Sequence, residues 1–249
     1  WKKTLIKDEV YLAYPDWLVK RWELQFGATE TLKLCSTLLM KNDMYIRLNI
    51  EKLNIEEMHS ILLKDEIDVS EYKDLKYFFK VNSGREKILD NSLFKSGIIS
   101  IQDPASGAVV NLVEPQKDEF ILDACAAPGT KSLLMAQKVG INGKIYAYDI
   151  NQNRVSQGKK DILRHNYKNI DWYVADASKA EYPTFNKILI DAPCSGTGVI
   201  GRRPDIKWRL KEGDIKKMSV LQKSILVNIS KYLEPGGKIV YSTCSLEKE

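Results

Sequence analysis

From about Gly97 onward the chain alternates short apolar runs with stretches of helical character, and this alternation limits the possible folds more than any other feature. Strands are expected at 119–123, 144–148, 170–175, 186–190 and 237–241, with helices over 128–139, 151–165 and 213–233. A parallel pair needs a crossover long enough to hold a helix, so this order argues for a doubly wound, mostly parallel sheet. Ile98-Ile99-Ser100-Ile101 reads as a first strand of the same part. Asp103 then caps a helix that has Pro104 at its first position and runs through Val113.

The residues before this part divide in two. Residues 1–44 read as helices: Pro15-Asp16 precedes Trp17, Leu18, Val19, Arg21 and Trp22, and Gly27 is a stop. Thr31 to Met40 carries Leu32, Cys35, Leu38 and Leu39 at helical spacing, which makes Cys35 core filler. Residues 45–95 read as a small α+β domain. It has a strand at Tyr45-Ile46-Arg47-Leu48-Asn49, a helix opened by Asn54 with Glu57 three residues on, and a second strand from Leu75 to Val81. Ser83-Gly84 and Lys95-Ser96-Gly97 mark a hinge, and residues 96–249 form the doubly wound part. His59 and His165 fall on helices without partners at catalytic spacing and read as structural residues.

In open α/β sheets ligands bind at the carboxyl ends of the strands. The strand at 119–123 runs into Asp123-Ala124-Cys125-Ala126-Ala127-Pro128-Gly129-Thr130-Lys131, a turn of small residues that lets backbone approach a ligand at a helix N-terminus. It matches neither GxGxxG nor the Walker pattern. The next strand ends at Asp149, 18 residues beyond Lys131, where an acid can take the two hydroxyls of a ribose. Asp176 and Asp191 end the strands that follow. One such acid is commonly a helix cap, whereas polar ends on four consecutive strands favour a nucleoside ligand. Two more segments, Asp191-Ala192-Pro193-Cys194 and Ser242-Thr243-Cys244-Ser245, each follow an apolar run and carry a cysteine just past a strand end. The four cysteines, at 35, 125, 194 and 244, include no CxxC pair. That spacing argues against a metal site or a disulfide and for nucleophilic thiol chemistry.

Charge adds a partner. The net charge is +5, and the segment from Gly201 to Lys223 holds eight cations (Arg202, Arg203, Lys207, Arg209, Lys211, Lys216, Lys217, Lys223) against three anions (Asp205, Glu212, Asp214). A basic stretch directly after a candidate catalytic loop reads as a contact to nucleic-acid phosphates, its bland alternative being a solvated helix face. Trp208 is either a stacking surface for a base or a core anchor. Apolar content of 44% and charged content of 29% suit a globular protein, and no apolar stretch approaches the roughly 18–20 residues that span a bilayer. Cysteine usage suits a reducing cytosol, so a cytoplasmic protein, a monomer without metal or membrane partner, is expected. The chain opens on Trp1 and stops five residues past Cys244, as a piece of a longer protein would.

These residues resemble the RNA (cytosine-5) methyltransferases of the RsmB/NOP2/Sun family. The resemblance rests on Cys125 to Lys131, Asp149, Asp176, Asp191-Ala192-Pro193-Cys194-Ser195-Gly196-Thr197-Gly198 and Tyr241-Ser242-Thr243-Cys244-Ser245, with support from Ile101-Gln102-Asp103 and Tyr45 to Asn49. It covers the chain from about residue 15 and is closest to the bacterial ribosomal-RNA members. It implies a Rossmann-like class I methyltransferase fold, truncated at its C-terminus, preceded by an RRM- or ferredoxin-like domain and a helical linker. It further implies S-adenosylmethionine as cofactor, bound by Cys125, Ala126, Ala127, Pro128, Gly129, Thr130, Lys131, Asp149, Arg154, Asp176 and Asp191. RNA, of the small ribosomal subunit, would be the substrate, with Arg202, Arg203, Lys207 and Trp208 as contacts.

By the same resemblance Cys244 is the thiolate that adds to C6 of cytosine and Cys194 assists release, while Asp191, in a dry pocket, is the candidate acid at N3. Lys131 serves the cofactor carboxylate or the base. In DNA-type enzymes a Pro-Cys cysteine attacks, so Cys194 is the rival nucleophile. Thr130 stands where the family has a second glycine, which is expected to tighten or shift the turn. Two other functions compete. One is a non-catalytic RNA-binding assembly factor, which has no use for two thiols at one sheet edge. The other is a small-molecule methyltransferase, which leaves the basic stretch unexplained.

Overall fold

The computed structural model describes residues 10, 11, 13–40 and 42–249, so the expected helical start at 1–9 lies outside the described residues. The chain forms two compact units. One comprises Asp43–Ala192 and Ile225–Ser242; the other comprises the described residues before Asp43 with Pro193–Ser224 and Thr243–Glu249. This division differs from three consecutive segments, because the loops after two strands of the parallel sheet join the unit that holds the N-terminal helices.

In that N-terminal unit, α1 (Asp16–Phe26) stops at Gly27, whose φ of 81° lies in the region that favours glycine, and α2 (Ala28–Leu39) starts immediately after it. Leu18 and Trp22 of α1 and Cys35 of α2 share a core with Tyr14, Ile200 and Ile206. The Tyr14 hydroxyl donates to the Cys35 carbonyl at 2.9 Å. Cys35 is fully buried, and burial pushes its thiol up to about 11, as befits core filler.

The second unit holds two sheets. The small one begins with β1 (Met44–Leu48), α3 (Ile55–Lys64), β2 (Asp68–Glu71) and β3 (Phe78–Ser83). Asn54 caps α3 as expected, its Oδ1 accepting from the Glu57 amide at 2.8 Å. A short helix α4 (Ser92–Lys95) leads to β4 (Ile99–Ile101). The antiparallel order is β2-β3-β1-β4. β4 was expected to open the doubly wound part, but it pairs with β1 (Ile46↔Ile101, Leu48↔Ile99) and completes the small sheet, so the boundary at residue 96 moves past Ile101. β2 was not foreseen: Asp-Val-Ser-Glu has a single apolar residue, and the strand is held by its ladder to β3. The strand expected from Leu75 starts only at Phe78, after Tyr77 takes a φ of 65°. Ile46, Leu48, Phe79 and Val81 pack on Met58 and Leu62 of α3, one face of the sheet against one face of a helix.

After α5 (Pro104–Val113), capped by Asp103 as expected, come β5 (Phe120–Asp123), α6 (Thr130–Val139), β6 (Lys144–Asp149), α7 (Gln152–His165), β7 (Ile170–Val174) and β8 (Phe185–Asp191). The chain then forms α8 (Asp205–Arg209), α9 (Glu212–Ile229) and β9 (Leu233–Ser242). The five strands run parallel in the order β7-β6-β5-β8-β9. The direction of winding reverses between β5 and β8, so a crevice opens at their carboxyl ends. Ile121, Leu133, Met135, Ile145, Val155 and Leu189 form the core beneath it. This is the expected doubly wound sheet, with strand bounds within a few residues of those read from the sequence.

Candidate functional site

β5 delivers Asp123 to the crevice edge in a position 1% exposed. Its Oδ2 accepts from the Ser132 hydroxyl at 2.7 Å, while Oδ1 has no hydrogen-bond partner among the described residues. Burial pushes this carboxyl up to about 7, the Ser132 hydrogen bond opposes the shift, and the Asp191 charge adds to it. The turn that follows is shaped by its small residues. Gly129 has a φ of 111°, and a Cβ there would lie 2.8 Å from Trp172 Cζ2. Thr130 is the first residue of α6 and takes helical backbone, so the missing second glycine requires no unusual conformation. Pro128 follows a cis peptide bond and is exposed. Burial, reinforced by the charges of Asp123, Asp149 and Asp191, pushes the Cys125 thiol far up, so Cys125 is no thiolate at neutral pH.

The strand-end acids differ in how they are engaged. Asp149, buried at the end of β6, accepts from the Ala127 amide (3.1 Å) and the Asn151 amide (2.9 Å) and pairs with Arg154 Nη1 at 3.4 Å. Arg154 also donates to the Ala127 carbonyl, so acid and arginine together tie β6 to the turn. Asp176 is held below the usual carboxylate range, chiefly by the Ser178 hydroxyl and amide. Asp191 accepts from Lys131 Nζ at 2.6 Å and from the Ser242 hydroxyl at 2.7 Å. The dry pocket expected for Asp191 is absent: its side chain is about a third exposed and ion-paired.

Register brings the two strands that precede the cysteines level, with Asp191 opposite Ser242. In the other unit, the loops carrying Cys194 and Cys244 are laced together. The Gly198 amide donates to the Cys244 carbonyl at 2.9 Å, and the Leu246 amide donates to the Thr197 hydroxyl at 2.9 Å. The Ser195 and Ser245 hydroxyls lie 2.7 Å apart. A Cβ on Gly198 would sit 2.9 Å from the Cys244 oxygen, so a side chain there would push the loops apart. The lacing leaves the two Sγ atoms 3.2 Å apart, as thiols and not as a disulfide. Gln222 of α9 steadies the first loop by donating to the Pro193 carbonyl at 2.8 Å.

In the same unit Arg202 and Arg203 are exposed, and Trp208 is 66% exposed, which answers the core-or-surface question for that residue. Lys207 departs from expectation. It is 8% exposed, with Nζ 4.8 Å from the Tyr14 ring centre and 5.9 Å from that of Trp208, so it braces the core and is not a surface phosphate contact. His165 is buried and hydrogen-bonded to Ser100, and His59 packs edge-on against Phe79; both are structural. Among the described residues no group of His, Cys, Asp and Glu is placed to hold a metal, and no helix is long and apolar enough to cross a membrane.

Sequence reasoning did not single out Asp123 with Ser132, the Ser195–Ser245 clasp or Gln102 as site-building residues. Gln102 Nε2 donates to the Thr130 carbonyl at 3.3 Å and its Oε1 accepts from Arg47, fastening the Cys125–Lys131 turn. An acid directly before the turn was the available signal for Asp123; the others depend on contacts between distant segments.

The model for the 16S rRNA methyltransferase RsmB/F family matches residues 110–249, and the model for the ferredoxin-like domain of RsmF/B-like methyltransferases matches residues 14–85. A Bacillus subtilis protein named "Probable ribosomal RNA small subunit methyltransferase B" is 34% identical over 95% of this chain and 53% of its own length. The chain thus spans about half the length of that relative. A crystal structure of a methyltransferase homologue from Pyrococcus horikoshii has a TM-score of 0.83 and 27% identity, covering 96% of this chain and 77% of its own. The structure of NSun6 from the same organism, solved with SFG, has a TM-score of 0.85 at 22% identity over 94% of this chain and 84% of its own, a likeness of fold.

Proposed function

Since this chain belongs to the RsmB/F family of 16S rRNA methyltransferases, we propose that it methylates C5 of a cytosine in small-subunit ribosomal RNA, using S-adenosylmethionine and a covalent cysteine–C6 adduct. The observation that carries the reading is the laced pair of thiols 3.2 Å apart. A binding module gains nothing from holding two cysteines in such a register, whereas covalent catalysis uses one thiol to attack and the other to help reverse the attack.

The residues at the crevice suit the cofactor. Asp123 Oδ1 is a buried acceptor that lacks a donor, which the ammonium of an amino-acid moiety carries. The turn from Cys125 to Lys131 opens a helix N-terminus, Asp149 ends β6 and Asp176 follows the end of β7. We assign these residues, with Arg154 through its pairing to Asp149, to hold S-adenosylmethionine. When bound, it supplies a methyl group made electrophilic by its sulfonium.

Cytosine C5 is a weak nucleophile. Addition of the Cys244 thiolate to C6 forms the S–C6 bond and turns the ring into an enamine whose electron density lies on C5. The Lys131–Asp191 pair, which holds protons between atoms 2.6 Å apart, is assigned to protonate N3 during that addition. Once C5 carries its methyl group, Cys194, acting as a thiolate, takes the C5 proton and becomes a thiol. The C5=C6 bond re-forms, the S–C6 bond breaks and N3 gives its proton back. Exposed Arg202 and Arg203 supply phosphate contacts and Trp208 a stacking face for the single-stranded, unstacked target. A ribosomal-RNA substrate of this kind implies a cytoplasmic protein.

The test mixes Cys194→Ala protein with unmodified small-subunit RNA and S-adenosylmethionine and runs a denaturing gel. A protein–RNA band that Cys244→Ala abolishes supports the assignment. A band from Cys244→Ala alone reverses the roles of the two thiols. No methyl incorporation by the unsubstituted protein, with RNA binding intact, supports the non-catalytic assembly factor instead.

A further inference from the structure

Arg47 is a buried cation that makes no ion pair among the described residues, although the charge of Asp161 reaches it. It lies on β1 opposite the core face and is 4% exposed. Its Nε donates to Gln102 Oε1 at 2.6 Å and its Nη1 to Gln137 Oε1 at 2.7 Å, both neutral amides, and Nη2 has no hydrogen-bond partner among the described residues. Three other enclosed cations pair with carboxylates, Lys131 with Asp191, Lys187 with Glu119 and Arg164 with Asp161, whereas buried Lys207 rests against aromatic rings. A guanidinium removed from water is costly unless paired, and its planar fork of donors matches an oxyanion.

The side chain of Arg47 lines a cavity of about 490 Å³ in the unit that carries both sheets. Lys138, from the end of α6, lines the same cavity with its Nζ on Asn111 Oδ1 at 2.9 Å. Burial and the Arg47 charge both lower the Lys138 ammonium, as expected of two cations facing one space. Lys76 stands at the rim with Glu51 and Asp74, while Leu48, Leu75, Phe78 and Leu134 supply apolar wall. A volume of this size exceeds that of a lone phosphate and suits a phosphate with an attached sugar or base.

We propose that this cavity is a phosphate-binding site, with Arg47 and Lys138 as its two anion-binding groups, taking a phosphorylated nucleotide, free or as a residue of an RNA strand. Its RNA form rests on the function proposed above; the site itself does not. It uses none of the residues assigned to methyl transfer, although Gln102 connects it to the cofactor turn.

The test uses the whole chain labelled with ¹⁵N-arginine, without S-adenosylmethionine, so its outcome is independent of methyl transfer. The Arg47 Nε resonance is identified by its loss in Arg47→Lys, and the protein is titrated with inorganic phosphate and with cytidine 5′-monophosphate. The expected result is a saturable shift of that resonance, with the nucleotide binding more tightly than phosphate. Lys138→Gln, which leaves the Arg47 hydrogen bonds in place, should weaken either ligand at least tenfold. Competition by a short RNA identifies a strand as the source, and a bound mononucleotide that RNA does not displace identifies a free nucleotide. No shift with either probe, or equal affinity in Lys138→Gln, overturns the proposal.

Discussion

Asp123 is the residue on which the energetics can be tested most directly. In the unfolded chain its carboxyl ionises near the ordinary 3.8, and in the fold burial pushes it up to about 7. Between those values the unfolded state releases a proton that the folded state keeps. Stability therefore falls as pH rises from about 4 to about 7 and levels off above. At about 1.36 kcal/mol per pH unit the loss amounts to roughly 4 kcal/mol. Asp123→Asn removes it. The amide oxygen keeps the Ser132 hydroxyl, while the amide nitrogen takes the place of the unpartnered Oδ1 and is left without an acceptor, at about 1–3 kcal/mol. Below pH 4 the variant should be less stable by that amount, and at pH 8 more stable by about 1–3 kcal/mol, since the removed loss exceeds the new cost. Urea unfolding of both proteins at pH 4, 6 and 8, with unchanged m-values, measures the difference. A difference that does not vary with pH would refute the reasoning. At pH 8 the same substitution should weaken binding of S-adenosylmethionine, separating what the carboxylate costs the fold from what it does for the ligand.

Other expectations follow from the same geometry. Gly129→Ala forces a side chain into positive φ and within 2.8 Å of Trp172 Cζ2, so it should cost about 1–3 kcal/mol in stability and weaken cofactor binding, read by denaturation and by titration. Ser195→Ala breaks the clasp to Ser245; losing about 1 kcal/mol of positioning should lower the effective concentration of the two thiols roughly fivefold, measured as the glutathione equilibrium of a Cys194–Cys244 disulfide. Native iodoacetamide labelling at pH 7.5 should leave Cys35 and Cys125 unmodified, because burial raises both thiols, and mass spectrometry of the peptides reads each one.

The five strands of the parallel sheet, their helices and the acids at their ends, though not the order of the strands in the sheet, were legible in the sequence because each depends on local periodicity and punctuation. Apolar runs of strand length, Asp103-Pro104 and Asn54 with Glu57 specify their elements without reference to distant residues. The cysteine motifs were legible for the same reason: each stands at a fixed step past a strand.

What only the tertiary structure decided involves partners far apart in the chain. Ile99–Ile101 has the composition of any short strand, and only the open edge of β1 assigns it to the small sheet. Lys207 looks like its basic neighbours in sequence, yet the Tyr14 ring, 193 residues earlier, draws it into a core. The sequence placed both thiols near strand ends, but their separation of 3.2 Å depends on the Gly198, Thr197 and Ser195 contacts across 46 to 50 residues. Arg47 alternates with apolar neighbours like any strand residue, and that its hydrogen bonds go to neutral amides emerges only once Gln102 and Gln137 are seen to be its partners. Local patterns determine which elements form because their energies are set within a few residues. Burial and pairing are properties of the assembled chain, because solvent is excluded and charges are matched only when distant segments meet.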